Sequence, residues 1–144
     1  MVDEADLADL LPLMRGYCDF YEVSPSDRDL LAMSRALIAD PEREGLQLIA
    51  RDGAGVAIGF ATIFWSWATS SASRIGVLND LFVTPAARGK GTAESLIRLA
   101  LERCRDHGAS ALSWQTARDN HRARALYERI GARREEWLDY SLTT

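Results

Sequence analysis

Four residues, Arg88-Gly89-Lys90-Gly91, stand between an apolar run that ends at Val83 and a segment with helical spacing that begins at Thr92. Glycines at such a turn let backbone approach a ligand closely. The first amides of the following helix lack intrahelical partners, and its dipole adds partial positive charge at that end. With Arg88 and Lys90 alongside, the chemistry that fits is the binding of a diphosphate. Two familiar cradles are excluded. A Walker loop requires Gly-x4-Gly-Lys-[Ser/Thr], but Lys90 is followed by Gly91, and Thr84 stands at the first glycine position. A dinucleotide fingerprint requires Gly-x-Gly-x-x-Gly, and Glu94 occupies the last position. A tight connection without a ligand also explains these glycines, so the loop by itself leaves both readings open.

The elements around the loop follow from periodicity and punctuation. Leu7, Leu10, Leu11, Met14, Tyr17 and Cys18 have helical spacing within residues 5–20. Ser24-Pro25-Ser26 is a turn, and Ser26 caps a second helix that runs to Ala39 and stops before Pro41. Residues 46–51 read as a strand, 52–55 as a hairpin turn, 56–67 as a longer strand with Gly59 a bulge or close-approach site, and 75–83 as the next strand, ended by Thr84-Pro85. A helix from Thr92 to His107 is stopped by Gly108, residues 110–116 form a strand, a short helix opens at Asp119 or Asn120 and stops at Gly131, and residues 134–142 alternate as a final strand. The order α-α-β-β-β-α-β-α-β predicts an α/β protein with a mixed sheet. Trp65 and Trp67 share one strand face and are read as core or dimer packing rather than as walls of an acceptor pocket; Trp114 and Trp137 are assigned to packing.

Composition narrows the class. A chain of 144 residues with 47% hydrophobic and 26% charged residues is one globular domain, spanning 1–144, with enough length for a core. No apolar run approaches the roughly 20 residues that span a bilayer. The N-terminus is acidic from Asp3, unlike a signal or transit peptide, and the two cysteines, Cys18 and Cys104, form no metal-ligand spacing. Reduced thiols in the cytoplasm are expected, without a disulfide or metal. The net charge of −4 is uneven: residues 1–60 carry 5 Arg against 12 Asp or Glu, whereas residues 86–134 carry 10 Arg and Lys90 against 5 acids. Solvated helix faces explain such charges one by one. As a pattern they suit an anionic ligand on the second half and a cationic one near the first. The acidic pI of about 5.2 argues against nucleic acid as a partner.

Two motifs together carry a family resemblance. Arg88-x-x-Gly91-x-Ala93 resembles the [Gln/Arg]-x-x-Gly-x-[Gly/Ala] loop of the GNAT superfamily of N-acetyltransferases, with NDLFVTPAARGKG as its strand-plus-loop segment. DNHRARALYERIGA resembles the family's second motif of Asn, Ala, Tyr and a helix-ending Gly. Both stand in the family's order, separated by a helix and a strand, and the resemblance covers residues 5–142, nearest in pattern to polyamine and small-amine acetyltransferases. It implies a mixed, mostly antiparallel sheet flanked by about four helices and splayed at a central parallel strand pair. It also implies acetyl-CoA as cosubstrate and no metal; a homodimer is expected as well. The family opens with a strand before its first helix, and here only Met1-Val2 precede the acidic helix start.

From the resemblance, the backbone amides of Arg88, Gly89, Lys90, Gly91, Thr92, Ala93 and Glu94 hold the CoA diphosphate. Leu81, Phe82 and Val83 pair main-chain groups with the pantetheine arm as an added strand would, and an amide near Phe82 polarises the thioester carbonyl. Asn120 matches a CoA-bonding position and is equally a helix cap. Tyr127 matches the general acid toward the departing thiolate; a phenol can supply that proton without carrying charge beforehand, and a core aromatic is the rival reading. An amine must lose a proton to attack, and polyamine-acetylating relatives often carry Glu-Asp where this chain has Asn79-Asp80. Asn79 cannot accept a proton. Asp80 is the nearest candidate base, although neighbouring strand residues face opposite ways unless a bulge intervenes, and Glu22 in the loop between the first helices is the second candidate. The function expected is acetyl transfer from acetyl-CoA to a primary amine of a small cationic acceptor, by direct attack in a ternary complex. The alternatives are a CoA-binding sensor that lost the chemistry, supported by Asn79, and a protein N-terminal or lysine acetyltransferase. A toxin acting on charged tRNA is disfavoured by the acidity.

Overall fold

In the computed structural model, which describes residues 1–144, the acidic N-terminus is a helix start built from side chains. Asp3 accepts the Ala5 amide at 2.8 Å and opens a short 3-10 turn, Glu4–Asp6, that leads into α1 (Leu7–Phe20). Arg51 ties this end of the helix to the sheet through Asp6 and Asp9, each at 2.7 Å. Helix α2 (Asp27–Ala39) begins where the Ser26 hydroxyl accepts the Asp29 amide at 3.1 Å. The main chain at Val2 donates to the Gln47 carbonyl at 2.8 Å, which holds the N-terminus beside that residue.

The sheet has four strands in the order β1 (Gly45–Arg51), β2 (Ala57–Ala68), β3 (Ser73–Val83) and β4 (Leu112–Ser113). The first three form an antiparallel meander, and β4 joins β3 in parallel. The expected hairpin turn after β1 is closed by Asp52, whose Oδ1 accepts from Ala54 and Val56. After β3, the 3-10 turn Pro85–Ala87 leads to α3 (Thr92–Asp106), and α4 (His121–Arg129) follows β4. This is the mixed, mostly antiparallel α/β sheet with four helices that was expected.

Two apolar layers sandwich the sheet. On one face Leu46, Leu48, Ala61, Ile63, Leu78 and Val83 pack with Leu96, Ile97, Ala100 and Cys104 of α3. On the other, Phe60 packs with Leu7, Leu10, Leu13, Met14 and Cys18 of α1, with Phe82 beside them. Gly16 permits this approach, since a Cβ there would sit 2.6 Å from the Phe82 ring. Both cysteines are buried free thiols, and burial pushes Cys104 up to about 11. No helix is long and apolar enough to cross a membrane.

Three expectations need correction. The strand expected over 110–116 pairs only at Leu112 and Ser113, plus a main-chain bond from Gly76 to the Ala111 carbonyl. Residues 134–142 form no strand. With β4 so short, its outer edge offers too little ladder to recruit another, and the charged run instead pairs locally, Arg133 with Glu135 and Arg134 with Glu136. Trp137 consequently is 78% exposed rather than packed, its indole N–H donating to Glu135. Trp65 and Trp67 do share a face, but only Trp65 is covered. Trp65 stacks on His107 at 3.9 Å between ring centres, whereas Trp67 is 68% exposed with the Arg74 guanidinium over its ring.

Candidate active site

The bulge that Asp80 needs is present. Thr62 pairs with Asp80 and Ile63 with Leu78, so Asn79 is the extra residue in β3. A bulge re-aims side chains and sharpens local twist. Here it lets Asp80 face α1 while Leu78 and Leu81 face the α3 layer. The Asn79 side-chain amide, released from the alternation, donates to Asp80 Oδ1 at 3.0 Å. Asp80 is 7% exposed, and burial raises its carboxyl above the usual range although Thr62, Tyr17 and Asn79, the last of them hydrogen-bonded to it, pull the other way. Desolvation disfavours the charged form, so the group is poised to take a proton.

Tyr17, from α1, lies over this carboxylate, its hydroxyl 3.5 Å from the Asn79 carbonyl, and burial together with the Asp80 charge raises its pKa. Its ring stands 4.8 Å from that of Tyr21, which in turn packs against Phe20 at 5.1 Å. An aromatic wall therefore leads from solvent to a buried carboxylate, on the acidic half of the chain. Tyr17 was missed as a site residue because its helical spacing reads as core, and Tyr21, 48% exposed, lies just past the periodic residues of that helix. Glu22, the second candidate base, sits exposed in the turn at φ +55° with no side-chain hydrogen bond, leaving its carboxylate in water.

Beyond Val77 and Ser113 the strands β3 and β4 part, which frees the outer edge of β3 toward Leu81, Phe82 and Val83. The pairing stops just before the bulge at Asn79, where added local twist is expected. The opening leads to the glycine loop. Gly89 and Gly91 adopt φ of +78° and +84°, the left-handed region that favours glycine, and Gly91 caps α3 without a side chain. Arg88 differs from expectation: its Nε donates inward to the Val83 carbonyl at 3.0 Å, and its guanidinium lies against Phe82. Its charge is thus engaged with the strand end. Glu94 is likewise turned away, bonding Arg98 at 2.7 Å and Arg129 at 3.1 Å, and those partners hold its carboxyl below the usual range. The free cations at the loop are Lys90 and Arg122. Arg122 lies on α4 and reaches within 3.8 Å of where a Gly89 Cβ would be, with no partner of its own. Sequence alone gave no signal for Arg122 among the ten arginines of residues 86–134.

Helix α4 supplies the remaining pair. Asn120 caps it, Oδ1 accepting from Ala123 at 3.3 Å, while its side-chain N–H groups remain available. Tyr127 packs edge-on to Trp114 at 5.2 Å, and its hydroxyl makes no hydrogen bond within the chain. Burial, with Tyr21 nearby as a smaller cause, raises its pKa and keeps the phenol protonated. The site therefore combines an amide-lined loop, an open strand edge, a protonated phenol and a buried carboxylate.

The Acetyltransferase (GNAT) family model matches residues 10–132. The chain belongs to the GNAT family. It is 35% identical over 127 residues to the uncharacterized N-acetyltransferase YhfO of Bacillus subtilis, covering 88% of this chain and 83% of that one. Among solved structures, the apo aminoglycoside 6'-N-acetyltransferase AAC(6')-IG from Acinetobacter haemolyticus superposes with a TM-score of 0.79 at 26% identity, covering 99% of this chain and 95% of the other. The aminoglycoside N-acetyltransferase AAC(6')-Iy, solved in complex with CoA, shares the fold with a TM-score of 0.78 at 20% identity over 99% and 96% of the two chains. This GNAT protein is an acetyl-CoA-dependent N-acetyltransferase. Its residues fit the cosubstrate: no atom lies within 4 Å of a Cβ built at Gly91, so the loop is open to a diphosphate.

Valine at Gly91 is expected to keep the fold, because there is space for it, but to strain a left-handed position by ~1–3 kcal/mol. Loop relaxation would misalign the α3 amides. Calorimetry should show CoA binding weakened roughly tenfold or more, which ~1.4 kcal/mol suffices to give.

Proposed function

We propose that this GNAT enzyme acetylates a primary amine on a small cationic molecule by direct attack in a ternary complex, with no covalent enzyme intermediate. The observation that carries the proposal is the Asp80 carboxylate, buried beneath Tyr17 at the foot of an aromatic wall. Ammonium groups are attracted both to aromatic faces and to a carboxylate, and the acidic first half adds to that attraction. The aminoglycoside acetyltransferases with this fold support an amine-bearing small acceptor.

The amides of residues 88–94, with Lys90 and Arg122, would hold the diphosphate, and Asn120 would bond CoA. The open edge at Leu81, Phe82 and Val83 would pair with the pantetheine arm, leaving an amide near Phe82 to polarise the carbonyl oxygen. When bound, acetyl-CoA supplies an electrophilic thioester carbonyl and a thiolate leaving group. Asp80 accepts the proton lost by the attacking nitrogen, directly or through one water, as the C–N bond forms and the C–S bond breaks. Tyr127 delivers its proton to the departing sulfur. The test is turnover of amines differing in charge and bulk: cationic primary amines should have the highest kcat/KM, and a preference for neutral amines would reject the acceptor class.

The sensor alternative drew on Asn79. As the bulge residue that donates to Asp80, Asn79 supports the base rather than replacing it. The proposal includes a homodimer, supported by the exposed Trp67, Trp137, Leu138, Tyr140 and Leu142, and a cytoplasmic location, supported by two unpaired thiols. Light scattering that gives a monomer mass would remove the dimer.

A further inference from the structure

The molecule buries four polar or charged side chains: Ser34, Gln47, Thr62 and Asp80. Three of them lie in one row across the sheet. Gln47 of β1 pairs with Thr62 of β2, and Thr62 pairs with Asp80 of β3, so the three occupy one level of three adjacent strands. Gln47 Nε2 donates to Thr62 Oγ1 at 3.1 Å. Because Thr62 Oγ1 accepts that bond, its single hydroxyl proton is free to point at Asp80, its neighbour on the same face. Gln47 is 2% and Thr62 0% exposed, and the row is covered by Met14, whose sulfur is 3.8 Å from Gln47 Nε2.

Packing does not explain this row. Valine is close to threonine in shape, and an apolar residue at position 47 would join Leu46 and Leu48 in the strand. Burying these polar groups costs free energy unless they are bonded, and Gln47 Oε1 is buried with no partner at all. A cost retained two steps from a buried carboxylate points to that carboxylate.

We propose that Gln47 and Thr62 are positioning residues for Asp80: Gln47 fixes the Thr62 hydroxyl, and Thr62 donates to the carboxylate to hold its orientation and favour its charged form. Asn79 bonds Oδ1 from the strand's own bulge, so Asp80 is held from two sides. The titratable group facing Asp80 is the Tyr17 phenol from α1, with Tyr21 beyond it; Thr62 from β2, its cross-strand neighbour, and Asn79 from β3, its hydrogen-bond donor, are the other polar groups beside it, and no cation or second carboxylate acts on it. The row therefore offsets part of the desolvation that burial imposes.

The positioning role rests on Asp80 being the base, so two measurements keep the ideas separate. The first is the Asp80 carboxyl titration by ¹³C NMR in the whole protein without ligands. In Thr62→Val the titration should move to higher pH, and in Thr62→Ser, which keeps the hydroxyl, it should stay near wild type. Gln47→Leu should shift it in the same direction by less, and it serves if Thr62→Val does not fold. A titration that stays put in Thr62→Val, or in Gln47→Leu when that variant stands in, overturns the proposal. The second is kcat/KM against pH with the best amine of a defined panel. Thr62→Val should lose roughly tenfold on the acid side, the expected scale for a hydrogen bond to a charged group, and recover as pH rises. A loss equal at every pH would mark Thr62 as structural only and also overturn the proposal. If Asp80→Asn keeps the acid limb, the base reading fails while the NMR result still decides the positioning.

Discussion

Replacing Asp80 with asparagine is expected to lower kcat/KM by roughly 10²- to 10⁴-fold, the usual contribution of a positioned general base. The same change should make the protein more stable near neutral pH. The two effects share a cause. Asp80 is 7% exposed, and burial raises its carboxyl above the ordinary 3.8. Between 3.8 and that raised value the folded chain binds more protons than the unfolded chain, so stability falls as pH climbs through this window and then levels off. Asparagine carries no charge to desolvate and escapes the loss. The melting temperature of Asp80→Asn should therefore exceed that of wild type at pH 7, with the gap closing on acidification to below the ordinary carboxylate range. Loss of activity with a lower melting temperature at both pH values would mark Asp80 as a structural anchor. Wild-type kcat/KM should rise with pH through the raised Asp80 value, and the variant's profile should lose that limb.

Phenylalanine at Tyr127 is expected to reduce kcat by roughly 10²-fold while the KM for acetyl-CoA stays within about twofold. The hydroxyl makes no bond within the chain, so removing it leaves no protein partner unsatisfied. The ring contact with Trp114, 5.2 Å between centres, remains. Stability should accordingly be close to wild type. With the pKa raised above 10.0, the phenol stays protonated through the ordinary assay range, and Tyr127 should add no basic limb there. A donor with a better leaving thiol tests the role further. An acetyl donor whose thiol is more acidic should be less sensitive to Tyr127→Phe, because its sulfur needs the proton less. Equal sensitivity would remove Tyr127 from proton delivery.

Legibility differed by kind of signal. Ser26, Thr84-Pro85, Gly108 and Gly131 are local punctuation, and the helices and strands they bound lie where the sequence predicts. The glycine loop was readable because φ of +78° and +84° demand glycine whatever surrounds them. The Asn79 bulge was not, since it exists only as a mismatch in count between β2 and β3 and leaves no mark on either strand alone. Arg88 illustrates the same limit: its residue type suggests a phosphate contact, but its Nε donates to the Val83 carbonyl of its own chain. Residues 134–142 alternate as a strand does, yet alternation describes only one half of a ladder, and β4 pairs over two residues. Gln47 and Thr62 are ordinary in a strand until the register aligns them with Asp80.

The most direct test is free-thiol release from acetyl-CoA across a panel of primary amines, with mass spectrometry of each acceptor. Thiol release above hydrolysis, matched by an equal amount of acetylated amine and greatest with small cationic amines, is the expected result. CoA binding by calorimetry without thiol release for any amine in the panel would contradict acetyl transfer and leave a protein that binds CoA without using it.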